Sequence, residues 1–400
     1  SMSRRTIPMF KARPMQSKRE STNPMIPEPP AQATTITTTA ELVTFIDAVA
    51  HRAWVAIDTE FLREKTYYPK LCLVQIADTE ICGVIDVLAI EDLSALVRLL
   101  VDAETIKVFH SAEQDLEVLL HTLGVMPAPL FDTQLAAPLV GLDDQMGYAR
   151  MIAALLDVSL SKAHTRTDWS RRPLPAGAID YAADDVRYLA VAYPRLVAAL
   201  GARDRLGWVM DDTARMTDPA RFAPAPETAW RRVKGWFHLP AGTQQILAEL
   251  AAWRERVAVE ADRPRRWILS DTALITLAEQ APTDDITLAD TVELSDKMLA
   301  RHTDELLAAI SRGKAAPATV LDPDAGPPDN ATKRLIKHGM QALEQAAQAA
   351  ELPAATLGSR AEIARLVAGR RDTRLLTGWR AEIAGRDVLA AIEAHQGASS

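Results

Sequence analysis

The sequence predicts a layered α/β domain, a mixed sheet flanked by helices, followed by two all-α units. Three apolar runs of strand length follow one another over 55–61, 71–77 and 81–87, as in a meander. Strand-like and helix-like patterns then alternate to about residue 220, the mark of layered α/β structure. Beyond Glu227 only helical periodicity remains, in two stretches of similar size separated by a Pro-rich segment.

Composition narrows the classes. The chain has 400 residues, 48% apolar and 24% charged, as in a soluble globular protein long enough for two or three domains. No apolar run reaches the roughly 18 residues of a membrane span. Cys72 and Cys82 sit in apolar runs without zinc-site spacing and read as reduced core thiols of a cytosolic protein. The eight histidines form no metal-binding spacing, so any metal is expected on oxygen ligands, which favours magnesium or manganese. A net charge of −8 argues against indiscriminate coating of nucleic acid but allows a local basic track. No apolar helical seam is evident outside the expected cores, so a monomer is expected.

In chain order, residues 1–34 are rich in Pro, Met, Arg and Lys without apolar periodicity and read as a disordered leader, Ser1 before Met2 being set aside. The basic, acid-poor start also suits a transit peptide; a solvated tail, with a true start at Met25, is the preferred reading. Thr39 is expected to cap a helix over 40–51, with Leu42, Phe45, Ile46 and Val49 on one face. The three strands follow, then a helix over 93–100, a strand over 106–109, a helix over 111–123 capped by Ser111 with Gln114, and a short strand over 130–132. Residues 218–226 read as a linker. One helical unit is expected over 227–315, with Gly313 as a helix stop, and a second over 330–396, with Ser359 and Glu362 at capping-box spacing. The two units look like a divergent repeat.

The chemistry is concentrated in acids. In a strand, residues i and i+2 share a face, so Asp58 and Glu60 project together and repel unless a cation or a proton intervenes. Asp115 falls in the first turn of a helix, where an anion is favoured, and alone it is an ordinary N-terminal residue. Tyr181 and Asp185, four apart, share a helix face across small Ala182 and Ala183. Asp184 lies about 100° from Asp185 on that helix, so only one of the two faces the other acids. Asp132 reads as a structural hydrogen-bonding residue, and Asp143, Asp144, Asp168 and Asp184 as surface groups.

Asp-x-Glu at a strand end, His-x₄-Asp at a strand-to-helix turn and Tyr-x₃-Asp in a late helix resemble the three motifs of the DEDD superfamily of 3′→5′ exonucleases, in its tyrosine-bearing branch. Within it the chain resembles the ribonuclease D family, whose segment before the third motif is matched by Leu160 to Leu174, with His164 as a departure. Trp230 to Gly235, Leu250 to Arg254 and Ile268 to Leu274 resemble the HRDC domain, a helical nucleic-acid-binding module, and the stretch around Gly378 to Glu382 resembles its degenerate second copy.

The resemblance implies a ribonuclease H-like exonuclease domain over 35–220, an HRDC domain over 227–315 and a degenerate HRDC-like domain over 330–396. It implies two divalent ions, magnesium or manganese, about 3.5–4 Å apart. Asp58 would bridge both, Glu60 and Asp185 would complete the first, Asp115 would hold the second, and Tyr181 would orient the attacking water. The expected activity is trimming of 3′-extended tRNA precursors and other structured small RNAs in the cytoplasm, with release of nucleoside 5′-monophosphates. Expected RNA contacts are Phe61, which otherwise belongs to the core face of its strand, with Lys162, Arg166, Trp169 and Arg172, then Arg231, Arg232 and Lys234 on the helical unit. A DNA-directed exonuclease of the same superfamily and a non-catalytic RNA-binding protein with a dead nuclease fold remain as alternatives.

Overall fold

A computed structural model describes residues 28–161, 167–292 and 294–397. Most of the proposed leader, together with Lys162, His164 and Arg166, lies outside the described residues. The nuclease domain is built on one six-stranded sheet: β1 (Thr34–Ile36), β2 (Trp54–Leu62), β3 (Lys70–Ala77), β4 (Cys82–Asp86), β5 (Ile106–Phe109) and β6 (Leu130–Asp132). Their order is β1-β4-β3-β2-β5-β6. β2, β3 and β4 form the expected antiparallel meander, and β1, β5 and β6 add in parallel. β1 was not legible: Thr34, assigned by composition to the leader, pairs with Gly83.

The sheet has two apolar faces, so β2 carries both. Val55 and Ile57 pack into a core under α1 (Thr39–Val49), α2 (Ser94–Val101) and α3 (Glu113–Leu123), with Leu42, Leu96, Leu116 and Leu119. Ala56 faces the other way, toward α4 (Thr133–Ala136), α5 (Tyr148–Leu156), α6 (Ala178–Gly201) and α7 (Leu206–Met216). A bulge opposite Glu60 and Phe61 turns both Cys72 and Leu73 into this second core. α1 is capped one residue earlier than expected, by Thr38 in a capping box with Glu41.

Beyond the sheet all regular structure among the described residues is helical: α8 (Ala241–Glu260), α9 (Arg265–Ile268), α10 (Asp271–Gln280), α11 (Asp285–Thr291) and α12 (Asp296–Ala315) enclose their own core of Trp230, Leu247, Leu250, Leu277 and Leu306. Gly313 is not a stop but lies inside α12, where a Cβ would sit 2.4 Å from the Ile246 Cα, so it permits close approach of α8. The last unit, α13 (Asn330–Ala349), α14 (Ala354–Leu357), α15 (Arg360–Val367), α16 (Gly378–Arg380) and α17 (Arg386–Gly397), shares the core on the α6 side of the sheet. Trp379 stacks flat on Trp208 of α7 at 4.5 Å, and Ser359 with Glu362 makes the expected capping box.

The first helical unit grips the loop that leaves β2. Tyr67 donates its hydroxyl to buried Glu255 at 2.6 Å, and the Tyr67 and Tyr68 amides donate to Asp262 at 3.0 and 3.1 Å. Arg265 donates to Glu255 and to the Tyr67 oxygen, at 2.8 and 2.9 Å. No helix among the described residues is long and apolar enough to cross a membrane.

Candidate active site

Alternation along β2 sets the site. Asp58 and Glu60 point to the α6 side, where the apolar part of the strand has ended, while Thr59 between them points toward α3. α6 lays Ala182, Ala183 and Val186 on the sheet, and these small contacts let it approach closely enough to deliver Asp185. Carboxylate oxygens of Asp58, Glu60 and Asp185 all lie within 4.8 Å of one another. Asp184 turns away to Arg187 at 2.5 Å, which decides between the two neighbouring aspartates.

Asp115 reaches the same region from α3 but is not part of that group of three. It is buried and accepts a hydrogen bond from the Thr59 hydroxyl. Its helix is not started by Ser111 and Gln114. Ser111 instead takes a left-handed conformation (φ 63°), and the N-cap is Ala112 without a side-chain bond. Asp132 does the capping from β6: it accepts from the Ser111, Ala112 and Gln134 amides at 3.0, 2.9 and 2.8 Å. Its structural reading therefore acquires a purpose, since it fixes the turn that aims Asp115.

The electrostatics are those of acids lacking counter-charge. Burial raises Asp58 to about 7, against a backbone amide from Thr59 that opposes it. Glu60 rises to about 9 through burial and the charges of Asp58, Asp185 and Asp115. Asp185 rises to about 8 through burial, Asp58 and Asp184. Burial and Asp58 lift Asp115 well above the carboxylate range. Protons or a hard cation would relieve this, and an all-oxygen donor set suits magnesium or manganese. Tyr181, one turn before Asp185, is pushed up to about 12 by burial and by Asp185, Glu60 and Asp58, so its phenol stays protonated.

Gln75 was missed by sequence reasoning. It stands directly opposite Asp58 on β3, sharing its face, and both amide atoms are buried without a hydrogen-bond partner among the described residues. Its signal was a single amide within an apolar run, Leu-Cys-Leu-Val-Gln-Ile-Ala. His110 also sits nearby, bonded to the Thr133 hydroxyl at 2.9 Å and tilted against Tyr148.

The expected RNA contacts divide. Trp169 is no surface platform: it is 5% exposed and stacks beside Tyr181 at 6.3 Å. Arg172 forks the Asp86 carboxylate, both bonds 2.6 Å, and donates to the Trp169 and Arg171 carbonyls, so its guanidinium is committed to the protein. Phe61 lies on the core face of β2, against the α1–α3 side. Arg231 pairs with Asp322 at 2.8 Å and covers the Trp230 ring, and Arg232 leans on Glu255 at 3.4 Å. Lys234 is exposed beside Arg266 in a shallow pocket. Just past Glu60, a cleft of about 340 Å³ includes Leu62, Lys65, Lys70 and Asp168 in its lining.

A family model described as a 3′-5′ exonuclease matches residues 33–200, and the HRDC domain model matches 243–310. The chain is 38% identical over 367 residues to ribonuclease D of Gluconacetobacter diazotrophicus, covering 89% of this chain and 91% of that one. It is 38% identical over 378 residues to ribonuclease D of Acidiphilium cryptum, covering 92% and 94%. The crystal structure of Escherichia coli RNase D, described as an exoribonuclease involved in structured RNA processing, superposes with a TM-score of 0.79 at 30% identity, covering 91% of this chain and 99% of that one.

Proposed function

The chain belongs to the ribonuclease D family of 3′→5′ exoribonucleases, and from that premise we propose that it trims the 3′ ends of tRNA precursors and other structured small RNAs by two-metal hydrolysis. The observation that carries the mechanism is the convergence of Asp58, Glu60 and Asp185 within 4.8 Å, with raised proton affinities and no cationic side chain among the causes of their shifts.

Asp58, Glu60 and Asp185 would hold one divalent ion, and Asp115 together with Asp58 would hold a second. When bound, such a pair activates a water and stabilises the leaving oxygen of an in-line phosphoryl displacement. The protein's own groups do the rest. Deprotonation of Asp58, Glu60 and Asp185 accompanies loading, so affinity rises with pH. Tyr181 keeps its proton and donates a hydrogen bond that orients the attacking water. Asp132 and Thr59 hold Asp115 in place. Lys65 and Lys70, in the cleft beyond Glu60, offer positive charge to the phosphates behind the scissile bond.

The test is incubation of the full-length protein with a 3′-extended tRNA and magnesium or manganese. A ladder shortened one nucleotide at a time, with nucleoside 5′-monophosphates as products, is expected. Asp58→Ala and Asp185→Ala should each abolish it while RNA binding and folding persist. Retained hydrolysis in either folded variant would sink the mechanism, and preference for an unstructured tail over tRNA would sink the substrate assignment.

A further inference from the structure

A basic cleft of about 410 Å³ lies where the C-terminal helical unit meets the nuclease domain. Its lining includes Arg215, Arg221, Arg374 and Arg380 with two carboxylates, Asp212 and Glu113, and a third, Glu362, stands near Arg374. Arg380 is buried and closely matched, donating to Asp212 at 2.7 Å and to the Thr356 carbonyl at 2.9 Å. The other three are matched loosely by carboxylates, although Arg215 also donates to the Thr377 hydroxyl at 3.2 Å. Arg215 stands 3.9 Å from Asp212, Arg221 3.5 Å from Glu113, and Arg374 3.7 Å from Glu362, all on half-exposed side chains. Pairs this long at a solvated site contribute little. Each guanidinium has five N–H donors in a fixed fork, so donors remain for another acceptor.

Gly378 leaves open the space that the Arg215 guanidinium occupies. Its φ is +55°, and a Cβ there would lie 2.9 Å from the Arg215 Nη2. Any side chain at 378 would strain the backbone and displace the guanidinium. The cleft also lies close to the acidic cluster: Glu113 at its rim is two residues before Asp115 on α3, about 200° around the helix. It therefore opens on the far side of the helical turn that presents Asp115.

Forked guanidiniums match phosphate oxygens in shape and charge. We propose that this cleft binds backbone phosphates of the RNA body while the 3′ end occupies the acidic cluster. The inference rests on RNA being the substrate, which hydrolysis of a four-nucleotide RNA by the unaltered enzyme reports separately.

The test uses the full-length Asp58→Asn protein, titrated with a labelled hairpin RNA carrying a 3′ tail across a salt series. Adding Arg215→Ala with Arg374→Ala should weaken hairpin binding by about tenfold or more and reduce the salt slope by about two, roughly one per lost phosphate contact. Gly378→Ala should weaken hairpin binding in the same direction. Binding of the four-nucleotide RNA, which fills the acidic cluster alone, should not change. Thermal melting checks folding, and Arg221→Ala replaces the double variant if that melts early. An unchanged salt slope in a folded variant overturns the proposal. So does tight binding of inorganic phosphate or a nucleoside diphosphate that the arginine variants lose while hairpin binding holds, since the cleft would then be a small-anion site.

Discussion

The hydroxyl of Thr59 donates to the Asp115 carboxylate across the boundary between β2 and α3. Thr59 lies between Asp58 and Glu60 but on the opposite face of the strand. One strand thus presents two acids to α6 and, through the residue between them, steadies a third acid on α3. Asp115 is consequently held beside the group formed by Asp58, Glu60 and Asp185 rather than within it.

Thr59→Val keeps the side-chain shape and removes this donor. The folded protein should survive, because one hydrogen bond contributes about 1 kcal/mol. The manganese concentration for half-maximal hydrolysis should rise about 10–100-fold, as expected when a group supporting a metal ligand is lost. Thr59→Ser should restore it. An unchanged metal requirement in Thr59→Val would show that Asp115 needs no such support.

The raised acids make the metal-free protein sensitive to pH. Asp58, Asp185 and Glu60 take protons near 7, 8 and 9 when folded, against about 4 in an unfolded chain. Between these limits the folded state binds more protons than the unfolded one, so stability falls as pH rises. The contribution is complete below about pH 4 and is lost through 7 to 9. Lys107, depressed to about 8 by burial, acts in the opposite sense above that pH, and His110, depressed by burial from its ordinary 6.5, does so below about 6.5, so the clean window is about pH 6.5 to 8. Melting in a chelator should show a lower midpoint at pH 8 than at about pH 6.5, and magnesium or manganese should remove the difference. A flat profile in the chelator would mean that the acids are already compensated.

Gln75 separates stability from function. Its buried amide has no partner among the described residues although it faces the side of the sheet that carries Asp58, and an unsatisfied buried polar group costs about 1–3 kcal/mol. Gln75→Leu should therefore raise the melting temperature of the metal-free protein, and a fall in kcat would show that the amide serves the water or ions of the working site. If Gln75→Leu is instead as active as the parent, the amide has no part in hydrolysis.

What could be read from the chain follows the range of the interactions. Asp58 with Glu60, and Tyr181 with Asp185, are set by strand and helix periodicity, which is local. The position of Asp115 depends on Asp132, seventeen residues further along the chain, which supplies the cap that Ser111 and Gln114 were expected to provide. Trp169 and Arg172 are expected as RNA contacts because they lie in a basic run. Burial against Tyr181 and a fork to Asp86, 86 residues away, set their true places. Strand β1 has three residues and exists only because β4 offers an edge to pair with. The sharing of one core by the nuclease domain and the last helical unit has no local signal at all.

The grip of the first helical unit on the loop after β2 yields the last prediction. Glu255 is 1% exposed and takes hydrogen bonds from Tyr67 and Arg265 together, so the loop leaving the acidic strand is tied to α8 through a buried charge. Tyr67→Phe removes one hydroxyl and should cost about 1 kcal/mol. Glu255→Gln removes the charge while keeping the shape and leaves Arg265 without its counter-ion. Losing one partner of a buried pair costs about 3–5 kcal/mol, and half-exposure of Arg265 places the expected value at the lower end. Combining the two should cost less than the sum of the separate effects, since both act on one network. Denaturant unfolding followed by tryptophan fluorescence measures all three. In Glu255→Gln the helical unit should also unfold in a separate, earlier transition, because its tie to the nuclease domain is broken. Full additivity with a single shared transition would show that the network does not couple the two parts.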